Sequence, residues 1–360
     1  MKRLSIRRYL KYAFYALIIR KIFIACSCMD YVRNHYEEVS FDAMMSSKEF
    51  KETLSALPPD QETFVLILNV HALNMTLNWL CNTEQLPGVH NQSLIVTMDR
   101  AAADALKALW PNVRQLHWPV PGLQKPFNYG DGPYQLFYLF RANLARTLLA
   151  MGKSFWMIQQ DTFWAESLSS FNVAARTEDI IFDRASENGP MIAGGYYYAK
   201  PNPSSMAYFE RLAQDISWWY APDNAYMTSL CELSGLANCG GLPFSLITNW
   251  QWLDSKSSNS SPSFVQFDGE TNLGGKLGKM KQLGFYFLQE DGRSCNRRSV
   301  EKARQLLSQR MSNWSQLASS SQQQFKFYQN VIDRMYSNPW TSWFLNRWML
   351  PYGHYCMLSF

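Results

Sequence analysis

Several signatures of familiar chemistry are missing from this chain. It has no Cys-x-x-Cys pair, no His-Glu-x-x-His, no Gly-x-Ser-x-Gly and no Gly-x-Gly-x-x-Gly or phosphate-loop spacing. Zinc, thioredoxin-type, nucleophile-elbow and dinucleotide chemistries therefore have no sequence support. Histidine is scarce: five residues, at 35, 71, 90, 117 and 354, none beside another or beside an acidic pair. Charge is sparse at 18%, against 47% hydrophobic residues, which excludes a disordered chain. Acid is absent from the first 29 residues, where Lys2, Arg3, Arg7, Arg8, Lys11, Arg20 and Lys21 precede Asp30. Without those seven, 27 basic residues face 29 acidic ones, so the net charge of +5 belongs to the N-terminus. The body has no positive excess for a phosphate backbone, and a nucleic-acid partner is not expected.

What is present is 360 residues, enough for one large domain or two modest ones, with 15% aromatics that fit a large core. The segment Tyr9–Met29 has the length of a membrane span, but Lys11, Arg20 and Lys21 interrupt it. It is open to three readings: a signal-anchor with its basic end in the cytosol, a basic helix on a membrane surface, or a cleaved signal peptide. Four Asn-x-Ser/Thr sequons, at Asn74, Asn91, Asn259 and Asn313, fit a secretory route. Of seven cysteines, Cys231 and Cys239 are spaced to pair in an oxidising lumen, with buried free thiols the alternative. Residues 30–60 are polar and mixed, end in Pro58-Pro59, and read as a stem between a targeting segment (1–29) and the body.

From Thr63 the chain alternates. Strands are expected at TFVLILNV, SLIVTMD (93–99), VRQLHW (113–118) and SFWMIQQD (154–161), with helices at LNMTLNWLCNT, 101–110 and 134–152. The second half adds strands at 179–183, 191–201, 244–248 and 264–267 and helices at 204–220 and 224–235. A Gly-rich turn leads into an apolar run over 274–288, and two helices follow, at about 299–318 and 321–337. This pattern predicts an α/β fold with a mostly parallel central sheet flanked by helices, a body at 61–297, and a C-terminal helical extension at 298–360. Ligands bind at the C-terminal strand ends of such sheets, which directs attention to Asn69, Asp99, Trp118 and Gln159-Gln160-Asp161. In MIQQDTFW an apolar strand presents Asp161 where a carboxylate can hold a hard divalent cation; the plain alternative is a strand-end Asp capping the next turn.

These segments, in this order, resemble the nucleotide-diphospho-sugar transferase family, glycosyltransferases of the GT-A type. The carrying stretches are LNMTLNWLCNT, SLIVTMD, ARTLLAMGKSFWMIQQDTFW, MIAGGYYYAKP and APDNAYMTSL, spanning about residues 60 to 290. The likeness is greatest to a version expanded in nematodes, whose turn reads Gln-x-Asp-Thr-x-Trp. The resemblance implies a single GT-A type domain, Mn2+ or Mg2+, and a nucleotide-diphospho-sugar donor of the UDP-sugar kind. It also implies a glycan or glycoprotein acceptor and a single-pass type II protein of the Golgi or endoplasmic reticulum. Asp161 matches the last Asp of the family's Asp-x-Asp turn, the direct metal ligand. Gln159 stands where the first Asp often is, and is left to bond a ribose hydroxyl or a metal-bound water. Asn69 falls where such folds hold the base, and Arg141 where it could pair with diphosphate or sugar. Gly194-Gly195 marks a tight strand that the donor sugar approaches. Asp223-Asn224 resembles the family's Asp-Gln on the acceptor side, making Asp223 the candidate base if the reaction inverts. Lys276 could meet the diphosphate, although a solvated turn lysine is the simpler reading. The departure at Gln159 motivates an alternative function, a catalytically inactive binding or scaffold protein on this fold.

Overall fold

The computed structural model describes residues 2–58, 61–128, 130–186, 190–249, 261–267, 275–309, 330–331 and 334–348. Asn259, Asn313, Cys356 and most of the helix expected at 321–337 lie outside these residues. Three helices open the chain: α1 (Lys2–Asn34), α2 (Phe41–Ser46) and α3 (Lys48–Ser55). Next come β1 (Thr63–Leu68), α4 (Leu73–Thr83), α5 (Val89–Gln92), β2 (Ser93–Thr97), α6 (Arg100–Leu109), β3 (Arg114–His117), α7 (Gly132–Ala150) and β4 (Phe155–Met157). The second half holds β5 (Thr162–Trp164), β6 (Ile180–Arg184), β7 (Ile192–Ala199), α8 (Pro203–Trp218), α9 (Asp223–Leu233) and β8 (Cys239–Gly241). It ends with β9 (Ile247–Asn249), β10 (Phe264–Gln266), α10 (Gly275–Leu283), α11 (Arg297–Gln309) and α12 (Pro339–Phe344).

The central sheet has seven strands in the order β3-β2-β1-β4-β7-β6-β8. All are parallel except β7, which runs antiparallel to both β4 and β6. The expected mixed α/β class with a mostly parallel sheet is what the chain adopts. The strands divide their side chains between two cores with a period of two. Val65 and Ile67 of β1, Phe155 and Met157 of β4, and Tyr197 of β7 pack with α1, α7 and α8 residues. Phe64, Leu66 and Leu68 of β1, Trp156 of β4, and Tyr196 and Tyr198 of β7 pack with residues of α4, α6, α10 and α11. Strands buried on both faces need apolar residues at consecutive positions, which is why TFVLIL is an unbroken run. A second, three-stranded sheet, β5-β10-β9, stands at the C-terminal side of β4. Its strands β9 and β10 meet the runs expected at 244–248 and 264–267, whereas β5 is not expected from the sequence, nor is α10, where a Gly-rich turn was.

The described part of the expected stem, residues 30–58, packs into the body and is not a linker. Val32, Val39, Met44, Phe50, Leu54 and Leu57 are all buried in the first core. Ser40 and Ser47 cap α2 and α3 through Ala43 N–H and Phe50 N–H. The body grips the segment in return: Trp118 Nε1 donates to the Glu38 carbonyl at 2.9 Å, Asn143 Nδ2 to the Val39 carbonyl at 2.9 Å, and Lys153 Nζ to the Leu57 carbonyl at 2.7 Å. The end of α1 belongs to the same core through Ala25, Cys28, Met29 and Val32. Its earlier part exposes Tyr9, Leu10, Tyr12, Phe14, Tyr15, Ile19 and Phe23. By length and composition alone, Arg8–Asn34 suffices to cross a membrane.

Cys231 and Cys239 are disulfide-bonded, and Cys81 pairs with Cys295 across 214 residues. The second bridge had no counterpart in the sequence reading. At the other end, α11 is part of the body, with Val300, Ala303 and Leu307 in the second core.

Candidate active site

The loops after β1, β2 and β4 meet at one edge of the sheet. Asp99, at the end of β2, caps α6 through Ala102 N–H at 2.9 Å and accepts Val70 N–H at 2.6 Å. It therefore ties the loop after β1 to the start of α6. Asn69 is buried, donating from Nδ2 to the Leu123 carbonyl at 2.8 Å and accepting His71 N–H at Oδ1, 3.1 Å away. Both ends of its carboxamide hold neighbouring loops. Trp118 is spent on the N-terminal helices, edge-on to Phe50. Of the strand ends singled out from sequence, only the β4 end projects into a polar cluster.

After β4 the chain bends through Gln159 and Asp161 into β5 of the second sheet. The Asp161 carbonyl accepts Phe267 N–H at 2.8 Å, which stitches the bend to β10. Its carboxylate, in a residue 3% exposed, accepts from Lys276 Nζ at 2.5 Å. Lys276 stands in the first turn of α10 with its side chain 37% exposed, so the ammonium is within reach of solvent.

The neighbouring strand β7 carries Gly194 and Gly195. Gly194 has φ +79°, a left-handed conformation that a side chain strains. A Cβ on it would lie 3.1 Å from the Asn224 Cβ. A Cβ on Gly195 would fall 2.8 Å from Gln159 Oε1, 3.0 Å from Gln266 Nε2 and 3.2 Å from Asp183 Oδ2. Three polar groups from three separate elements thus close over the Gly195 backbone, in space that any side chain would need.

Asp183 and Gln266 were not among the sequence candidates. Asp183, next to last in β6, accepts Gly194 N–H at 2.9 Å, Tyr196 N–H at 2.8 Å and Gln266 Nε2 at 2.8 Å. Complete burial pushes its carboxyl up to about 6, against the opposing pull of those donors and of Arg141. The available signal was the charge closing the apolar run DIIFD; Gln266 had none beyond its place in a short strand.

The second ion pair is sealed. Arg141 of α7 donates from Nη1 to Asp223 Oδ2 at 2.8 Å and from Nη2 to the Gly194 carbonyl at 2.7 Å. Its guanidinium lies over the Tyr197 ring, 5.6 Å from the centroid. The two side chains are 5% and 6% exposed. Asp223 Oδ1 accepts Asn224 N–H at 2.8 Å, so both carboxylate oxygens are engaged. Burial drives the Asp223 carboxyl up to about 6, and the Arg141 charge works against that rise. Arg141, expected at the diphosphate or the sugar, and Asp223, the candidate base if the reaction inverts, hold each other here as a strut. It fixes the Gly194 backbone and the start of α9. Tyr134, in the first turn of α7, stands between the two pairs. Burial raises its phenol, with Lys276, Asp223, Arg141 and Asp161 all acting on it.

A divalent metal at this edge would have to be held by the same residues. Hard cations take carboxylates, carbonyls and phosphates. Here Asp161 supplies one carboxylate, already matched by an ammonium, and Gln159 supplies a neutral amide. Among the described residues, no group of three or more His, Cys, Asp or Glu is placed to hold a metal. This donor set does not fit a resident Mn2+ or Mg2+.

Comparison with known proteins identifies the class. A profile of the nucleotide-diphospho-sugar transferase family matches residues 88–283, just over half of the chain, and the chain belongs to that family. Arg141, Gln159, Asp161, Gly194, Gly195, Asp223 and Lys276 fall within the match; Asn69 lies outside it. Among solved structures, GlyE, a glycosyltransferase of Streptococcus pneumoniae, is 8% identical with a TM-score of 0.42, over 67% of this chain and 63% of that one. The galactosyltransferase LgtC, in complex with donor and acceptor sugar analogues, is 9% identical with a TM-score of 0.41, over 69% and 95%. The bifunctional glycosyltransferase WbbM is 9% identical with a TM-score of 0.41, and the match spans 58% of this chain but under half of its own length, 46%. No curated protein matches.

Proposed function

We propose that this chain is a glycosyltransferase moving a hexosyl or pentosyl group from a nucleoside-diphosphate sugar to a hydroxyl of a glycan or glycoprotein. The observation that carries the reading is the cluster over Gly195. Gln159, Gln266 and Asp183 converge on the Gly195 backbone, beside a carboxylate–ammonium pair at a strand's C-terminal end. Polar groups so placed suit the hydroxyls of a donor sugar, with the ammonium near its diphosphate. In the transfer, the bond from the anomeric carbon to the diphosphate breaks and its electron pair leaves with the diphosphate. The acceptor hydroxyl oxygen bonds to that carbon and loses its proton. Stabilising the departing charge is the main catalytic demand.

In this reading Asp161, Gln159, Gly195 and Lys276 touch the donor, Asn69 braces the loop expected at the base, and Arg141 and Asp223 position Gly194 and Asn224. Placement in the Golgi or endoplasmic reticulum, as a type II protein, is supported by the apolar helix Arg8–Asn34 and by two disulfides, which persist in an oxidising lumen.

The test is a panel of UDP- and GDP-sugars incubated with the full chain, with release of free nucleoside diphosphate as the readout. One donor is expected to be turned over, and Asp161→Asn to abolish that turnover with the fold intact by circular dichroism. Binding of a donor without any turnover, in the presence of glycan acceptors, would instead favour the inactive binding protein.

A further inference from the structure

We infer that Lys276 replaces the divalent cation of this site, so that donor binding and transfer are independent of metal. The inference rests on the nucleotide-sugar reading above and concerns how that site neutralises the diphosphate. The argument begins with charge. Two carboxylates and a divalent cation sum to zero. One carboxylate, one neutral amide and one ammonium also sum to zero. Here the carboxylate is Asp161, the amide Gln159 and the ammonium Lys276, 2.5 Å from Asp161 Oδ2. A carboxylate at 159, or a neutral side chain at 276, would shift that sum by a full charge.

Geometry agrees with the sum. The Lys276 ammonium touches the carboxylate oxygen that a metal would need, and like-charge repulsion keeps a divalent cation from that oxygen. An Asp161 carboxylate only 3% exposed would be costly without a counter-charge. The Lys276 side chain, at 37% exposure, is held at its tip and reachable from solvent. An incoming phosphate can therefore meet the ammonium without dismantling the pair. Lysine binds phosphate as a compact point charge.

The chemical step balances without a metal. The anomeric C–O bond breaks with its electrons on the diphosphate, the acceptor oxygen forms the new bond, and the hydroxyl proton passes to the departing diphosphate. Lys276 remains an ammonium throughout and stabilises the charge that accumulates on the leaving group.

The experiment measures UDP and GDP binding to the full chain by calorimetry, in EDTA and in Mn2+. One nucleotide is expected to bind with affinities that agree within about twofold in the two conditions. Lys276→Met, which keeps the apolar stem, is expected to weaken that binding by at least about tenfold, the value of a lost hydrogen bond to a charged group. Lys276→Arg is expected to retain most of it. Binding that EDTA abolishes and Mn2+ restores would overturn the substitution while leaving the nucleotide-sugar reading in place. Unchanged affinity in a folded Lys276→Met would overturn it too. If neither nucleotide binds in either condition, the nucleotide-sugar reading itself fails.

Discussion

Two ion pairs stand on either side of Tyr134, alike in chemistry and opposite in setting. Arg141–Asp223 is sealed, about 5% exposed on both sides, and also holds the Gly194 carbonyl. Asp161–Lys276 is sealed only on the acid side, with the lysine side chain 37% exposed. A sealed pair is locked, because separating its members would strand a charge in the interior. A half-open pair can exchange partners, since water or a phosphate can take over one member. Burial, more than charge, sorts the first pair to architecture and the second to ligand.

The largest test of that division is to cut the sealed pair. Arg141→Ala should destabilise the fold by about 3–5 kcal/mol, because it leaves the Asp223 carboxylate buried and unmatched. A denaturant midpoint unchanged from the parent would show that the strut does not hold the structure. Acidity sharpens the same comparison. The Asp223 carboxyl titrates at about 6 in the folded chain, above its ordinary value. The folded state therefore binds more protons than the unfolded one between the two values. Its contribution to stability falls as pH rises through that window and is level above it. Relative to pH 7, the parent chain should thus be favoured at pH 5 by more than Asp223→Asn is, in urea titrations at both values. A smaller effect is expected at the backbone the strut grips: Gly194→Ala, at φ +79°, should cost about 1–2 kcal/mol of strain and no charge. At the half-open pair, Lys276→Met should cost about 1–3 kcal/mol, because it strips the counter-charge from the buried Asp161 carboxylate while letting water in beside it, even as nucleotide binding suffers. A loss as large as that of Arg141→Ala would erase the distinction between the pairs.

Much of the sheet was legible because its physics is local. TFVLIL, SLIVT and FWM are consecutive apolar residues, and only strands buried on both faces demand them. The direction of β7 was not legible, since MIAGGYYY reads the same whichever way it runs. The N-terminal segment misled by averaging: its composition is polar, yet Phe50 and Leu54 sit four apart on one helical face behind a capping Ser47. At the site, Asp161 announced itself by ending an apolar run. Asp183, Gln266 and Tyr134 did not, because they reach the cluster from β6, β10 and α7. Only tertiary contacts across long separations make them neighbours, as Gln266 and Asp183 are across 83 residues. Arg141 was singled out for a helix position near the active edge, which gives no sign that an acid will arrive there from α9.

The bond between Cys81 and Cys295 closes a loop that contains β4, β7 and all four residues of the two ion pairs. A protease that cuts once between those residues therefore cannot separate the pieces. The nicked protein should keep its full mass on a non-reducing gel and fall into two fragments only when a thiol is added. In a compartment rich in proteases, the site can survive a break in its own backbone.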